Sequence, residues 1–180
     1  SCDNISYMQH QKHLFSLPED STYINGAYMS PQLKSVAEIG VESVLKKNNP
    51  TTISQSDFFT NRTLVKQRFA TLIDAADEQN CAIIPSVSYG IATVAKNIDL
   101  QQGDEILLID EQFPSNVYAW REKANATGAI IKVVAPPNTF ENRGKLWNQS
   151  ILEAINLNTK VVAMGHIHWA DGTLFDLVEI

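Results

Sequence analysis

Hydrophobic and polar positions follow two periods that take turns along the chain. Val36, Ile39, Gly40 and Val44 recur at helical spacing after Ser30-Pro31, which reads as an N-cap with proline at the first helical position. That helix is predicted to run to about Lys47, where the Lys46-Lys47-Asn48-Asn49-Pro50 run supplies cations for its end and a breaker beyond. Leu64, Val65, Arg68, Phe69, Leu72, Ile73 and Ala76 form the stripe of a second helix over 61–77. Cys81-Ala-Ile-Ile84, closed by Pro85, has the unbroken apolar run of a strand buried on both faces. A helix over 88–98 then leads through Gly103 into a second apolar run, Glu105-Ile-Leu-Leu-Ile-Asp110. A helix over 115–126 ends at Gly128, followed by a strand over 129–134, a helix over 147–155 and a strand over 160–164. Strand and helix alternating at these lengths predict βαβ units, and hence an α/β fold with a mostly parallel sheet covered by helices.

The first 20 residues show no clear period and read as an arm, leaving 21–180 as the body. At the other end, Thr173-Leu-Phe-Asp-Leu-Val-Glu-Ile180 is apolar and stops in mid-pattern, so a piece of a longer protein is expected.

Composition narrows the partners. With 180 residues, 44% hydrophobic and 19% charged, the chain is ordinary for one globular domain and is neither disordered nor collagen-like. No apolar run approaches the ~20 residues a bilayer needs, so no membrane partner is expected. A net charge of −6 without a basic stripe argues against nucleic acid. Cys2 and Cys81 cannot build a disulfide scaffold and read as two thiols in a reducing compartment. With no signal segment and no Met at position 1, the expectation is a trimmed start on a cytoplasmic chain.

In open α/β sheets ligands bind outside the carboxyl ends of the strands, and three segments fall there. Pro85-Ser-Val-Ser-Tyr-Gly90 opens a helix, whose unpaired N–H groups and dipole suit a phosphate, with Ser86 and Ser88 as further donors. On spacing alone it reads first as a plain serine cap that binds nothing. No Gly-rich phosphate loop of the nucleotide type occurs. Asp110-Glu-Gln-Phe113-Pro presents an aromatic ring at a strand end, either to cover a planar ligand or to plug the core. Gly165-His-Ile-His168 has the imidazole spacing of a zinc site and resembles the last motif of metallophosphoesterases. The Asp-x-His and Gly-Asn-His-Glu motifs those enzymes also need are missing from the sequence, so no metal is expected.

Taken in order, these segments resemble the class V pyridoxal-phosphate-dependent aminotransferases of fold type I, a group that includes cysteine desulfurases, isopenicillin epimerases and kynureninases. The resemblance rests on Tyr23-Ile-Asn-Gly-Ala-Tyr-Met-Ser-Pro31, Asp57-Phe-Phe, Ile84-Pro-Ser-Val-Ser-Tyr-Gly-Ile91, Gly103-Asp-Glu-Ile, Glu111-Gln-Phe-Pro-Ser-Asn-Val-Tyr118 and His166-Ile-His-Trp-Ala-Asp-Gly-Thr-Leu-Phe-Asp-Leu177. It implies part of a three-layer α-β-α sandwich, truncated at its C-terminal end.

The same resemblance implies pyridoxal 5'-phosphate as cofactor, a small-molecule amino acid or amine as substrate, and a homodimer. Ser86, Val87 and Ser88 would hold the phosphate, and Phe113 would stack on the pyridine. The segment from His168 to Asp171 would touch the phenolic oxygen or the substrate carboxylate. Asp171 stands where many relatives carry a small hydroxylated residue. Asn25, Ala27 and Tyr28 would line the substrate mouth. The Schiff-base lysine and the aspartate that pairs with the pyridinium nitrogen would both lie beyond this chain, so it supplies no catalytic residue and is expected to be inactive alone. The alternative from a different class is a non-catalytic α/β module that binds an anion or a protein at the same strand ends.

Overall fold

A computed structural model describes residues 10–26 and 28–180, and these cluster into two compact units, one up to Ile83 and the other Ile84–Ile180.

The first unit is helical. Its first long helix, α1 (Lys34–Leu45), begins three residues after the predicted proline start. Leu33 stays extended and bridges Phe15 in antiparallel fashion, while the Ser30 hydroxyl donates to Gly26 O instead of capping a helix. The second, α2 (Thr60–Leu72), follows a capping box in which Asp57 accepts from the Ser54 amide at 2.7 Å. It stops short of the predicted Asp77 because Asp74 turns to φ 53° and the Ala75 amide returns to Ala70 O at 2.9 Å. Of α2 only Ala70 is buried; the stripe carried by Leu64, Val65, Phe69 and Leu72 is exposed.

The second unit carries the sheet. Its first helix, α3 (Val87–Asn97), is capped by Ser86, whose Oγ accepts from the Tyr89 amide at 3.2 Å. Strand β1 (Glu105–Ile109) is the centre of a three-stranded parallel sheet, flanked by β2 (Ile130–Val134) and β3 (Thr159–Ala163) in the order β2-β1-β3. The apolar run Cys81–Ile84 forms no strand among the described residues, contrary to its pattern. It joins no ladder of the described sheet, and without a paired partner an apolar run is not a strand.

All five residues of β1 are buried, and period 2 splits them between two cores. Ile106 and Leu108 pack with Ala95, Leu100, Trp120 and Ala124 of the layer holding α3 and α4 (Tyr118–Thr127). Leu107 and Ile109 pack with Trp147 and Ile151 of α5 (Arg143–Ala154) and with Phe175. Helices on both faces of a parallel sheet make the three-layer α/β arrangement that the alternation predicts. Helix α4 ends as expected, at Gly128 with φ +76°. It starts later than expected because Pro114–Asn116 forms a 3-10 turn first, and Asn116 Oδ1 accepts from the Trp120 indole at 3.0 Å. Helix α5 begins four residues earlier than Trp147, after Asn142 in the left-handed region.

One charged group sits at the amino end of the sheet. Glu105 is 7% exposed and bonded by Lys132 at 2.8 Å and Asn156 at 2.7 Å. Lys132 holds its carboxyl below the usual value against the opposing effect of burial, with Asn156 and Thr159 adding to the pull.

Candidate functional site

Because β1 is followed by a crossover to β2 on one side and pairs with β3 on the other, the chain changes direction between β1 and β3. A crevice at the carboxyl ends of such strands is where open α/β sheets bind ligands. Two loops meet there. After β1, Asp110–Phe113 turns outward with Glu111 at φ 52°. After β3, residues 164–175 fold into a small hairpin. In it Ile167 bridges Leu174, the Phe175 amide donates to His166 O, and the His168 amide donates to Thr173 O at 2.8 Å. Gly172, at φ +74°, closes its tip by donating to His168 O, a conformation glycine adopts without strain.

Three contacts tie the β1 loop to the end of β3 and its hairpin. The Trp169 indole N–H donates to Glu111 O at 2.7 Å. Gln112 Nε2 donates to Ala163 O at 3.3 Å. The rings of Phe113 and Trp169 stand edge to face with centroids 5.3 Å apart, and each residue is 37% exposed. The turn after Phe113 packs on α3, so the helix that Ser86 caps belongs to the same cluster. Val87 and Ser88 are exposed at its first turn, where amides precede any intrahelical acceptor.

Behind the hairpin lies a linked series of polar side chains, of which His168 is buried. His168 is 2% exposed, with Nδ1 3.1 Å from Asp171 Oδ1. Asp171 Oδ2 accepts from Arg143 Nε at 2.8 Å, and Arg143 also donates to Pro137 O at 2.7 Å. Burial alone would raise the Asp171 carboxyl. The Thr173 amide and hydroxyl, His168 and Arg143 outweigh it and hold the pKa at about 2. An ionised carboxylate only accepts, so Nδ1 of His168 carries the proton shared with Asp171, and the ring's other nitrogen is Nε2. That Nε2 is buried with no hydrogen-bond partner among the described residues. The imidazole lies against Trp147, ring centroids 5.1 Å apart, and Trp147 donates its indole N–H to Val134 O.

Among the residues expected from the sequence, the structure gathers Ser86, Val87, Ser88, Phe113, His168 and Asp171 into one unit, the last two facing each other. Asn25 and Tyr28 belong to the first unit, in a turn where Asn25 O accepts from the Tyr28 amide at 3.2 Å. Ala27 and Cys2 lie outside the described residues. Arg143 and Trp169 were not singled out by the sequence. A signal for Arg143 existed: a cation in the first turn of α5 opposes the helix dipole and calls for an anion nearby, which Asp171 supplies. No group of three or more potential ligands able to hold a metal ion occurs among the described residues, and no helix there is long and apolar enough to cross a membrane.

Comparisons with known proteins agree with this architecture. The model of the family described as aminotransferase class-V matches residues 39–180. A probable cysteine desulfurase of Halalkalibacterium halodurans is 30% identical over 95 residues, 53% of this chain and 21% of the relative. One from Staphylococcus aureus is 34% identical over 80 residues, covering 44% and 17%. Among solved structures, a mutant of C-DES with glycine covalently linked to its PLP cofactor superposes with a TM-score of 0.78 at 22% identity, over 96% of this chain and 45% of that one. The Escherichia coli cysteine desulfurase CsdA gives 0.74 at 21% identity, over 93% and 43%. At such identities the superpositions speak for the fold. The matches span about a fifth of the curated relatives' length and under half of the solved chains. With most of its length matched by the family model, the chain belongs to the class-V aminotransferases.

Proposed function

We propose that this chain is the N-terminal portion of a pyridoxal-phosphate-dependent enzyme acting on an amino acid or a related amine, and that it supplies the phosphate and ring contacts of the cofactor site. The observation that carries the reading is the meeting of the Phe113 loop and the 164–175 hairpin at the β1/β3 strand ends, beside the turn that packs on α3.

The residues present suit such a group. An exposed helix N-terminus with a free-standing serine at its second position answers a phosphate dianion. A half-exposed phenyl ring at a strand end answers a flat heterocycle. When bound, pyridoxal phosphate supplies an electron sink for charge that develops at the substrate's α-carbon. The chain's own work is to bind and orient: Val87 and Ser88 donate to the phosphate, and Phe113 fixes the ring plane. The Arg143–Asp171–His168 series braces the hairpin, since its two contacts lie at 2.8 and 3.1 Å.

None of the ten lysines stands at the carboxyl end of β1, β2 or β3. Lys132 pairs with Glu105 at the opposite end, and Lys160 lies near the start of β3. The covalent anchor and the pyridinium partner are therefore assigned to the rest of a longer, cytoplasmic and dimeric protein, and the chain alone is inactive. Reading the gene past the codon for Ile180 tests this. A continuing frame with a strand-end aspartate and a later lysine is expected. A stop codon there, with anion binding but no cofactor binding, favours the non-catalytic module instead.

A further inference from the structure

Every polar side chain in the 168–171 segment is turned to an internal partner. The His168 ring faces Asp171 and Trp147, and Asp171 accepts from Arg143 and the Thr173 amide. The Trp169 N–H is spent on Glu111 O. What the segment shows to solvent beside Phe113 is the indole itself. Two aromatic rings at an interplanar angle of 90° enclose a corner, and a flat ring laid in that corner stacks on one wall while its edge meets the other. The angle is held from behind, because the indole cannot swing away without breaking its 2.7 Å bond to the β1 loop.

We infer that Trp169 is the second wall of the ring site, so that the hairpin grips a flat, phosphorylated heteroaromatic ligand by aromatic contact rather than by hydrogen bonds. This rests on the reading that the strand ends hold pyridoxal phosphate.

The 180-residue chain offers a selective readout. Trp120 and Trp147 are 3% and 0% exposed, leaving Trp169 as the tryptophan a neutral collisional quencher reaches. The probe is pyridoxamine 5'-phosphate, which has no aldehyde to react with the ten lysines. Binding is followed by equilibrium dialysis, and Trp169 access by acrylamide quenching in the presence and absence of probe. The expected result is saturable binding that shields Trp169, with inorganic phosphate competing for the site but giving no shielding. Trp169→Ala should weaken binding about three- to tenfold, while Trp169→Phe, which keeps an aromatic face, should weaken it less.

Saturable binding that leaves Trp169 as accessible as before, with Trp169→Ala binding like the parent, overturns the inference and spares the cofactor reading. Absence of saturable binding defeats both. Should Trp169→Ala fail to fold, shielding in the unaltered chain decides alone, since its absence from a saturated complex refutes the contact.

Discussion

Arg143 and Asp171 are 28 residues apart in sequence and 2.8 Å apart in space, and their ion pair fastens the start of α5 to the tip of the hairpin after β3. Their side chains are only 15% and 20% exposed, so solvent screens them little. Removing one partner strands the other. Asp171→Ala leaves the Arg143 Nε–H and the His168 Nδ1–H without their acceptor, while Arg143 keeps its bond to Pro137 O. The expected loss is about 3 kcal/mol of unfolding free energy, read as a lower denaturant midpoint at unchanged slope. Asp171→Asn should cost less, because the amide oxygen still accepts one bond. Equal effects of the two substitutions would mean that charge contributes nothing here.

The same carboxylate sets a pH dependence. Its pKa falls from 3.8 to about 2 on folding, so the folded state favours the ionised form. Stability from this group is complete above pH 3.8 and drains as the pH falls towards 2. The Asp57 carboxyl behaves alike, held at about 2 chiefly by its bond from Lys46, but it is exposed and contributes less. Urea titrations at several acidic pH values should show a steep loss below pH 4 that Asp171→Asn flattens. An unchanged acid limb in that variant would remove Asp171 from the explanation.

A glycine provides a sharper test of how closely α5 and the hairpin approach. A Cβ built on Gly144 would lie 2.5 Å from Leu174 O, a backbone atom that cannot step aside. Gly144→Ala should gain slightly in helix propensity yet lose about 1–3 kcal/mol from the forced separation. Hydrogen exchange should quicken at the amides of His168 and Phe175, which close the hairpin. Faster exchange confined to α5 would contradict the contact.

How much of this was legible in the sequence depends on how local each cause is. The runs 105–109 and 130–134 are mostly apolar and rich in Ile and Val, and glycine sits where the chain must turn, so β1, β2 and α4's end were readable from neighbours alone. Cys81–Ile84 misled because a strand is a property of a pair, and a pattern cannot say whether its partner is present. Ser30-Pro31 misled because Leu33 stays extended to bridge Phe15, which delays the helix to Lys34. Ser86 and Phe113 were visible as a cap and a strand-end aromatic. The Arg143–Asp171–His168 series was not, since its spacing reflects the return of one βαβ unit onto another.

On the proposed reading, cofactor binding by the longer protein should separate the site residues from their neighbours. Ser88 sits exposed in the first turn of α3, where the proposed phosphate would rest. If the proposed site holds, Ser88→Ala removes one charge-assisted hydrogen bond, worth ~1.5–3 kcal/mol, or about ten- to a hundredfold in affinity. Phe113→Ala removes a stacking face worth ~0.5–1.5 kcal/mol beyond its area, and it also frees Trp169 from its edge-to-face partner. His166 meets the hairpin through its backbone carbonyl, which accepts from the Phe175 amide, so His166→Ala should leave affinity nearly unchanged. Titration of pyridoxal phosphate into the three variants, followed by the cofactor's visible absorbance, ranks them. If Ser88→Ala and Phe113→Ala bind like the parent while His166→Ala loses the cofactor, the site lies elsewhere on the sheet, and the family fold would then carry its ligand without these strand-end contacts.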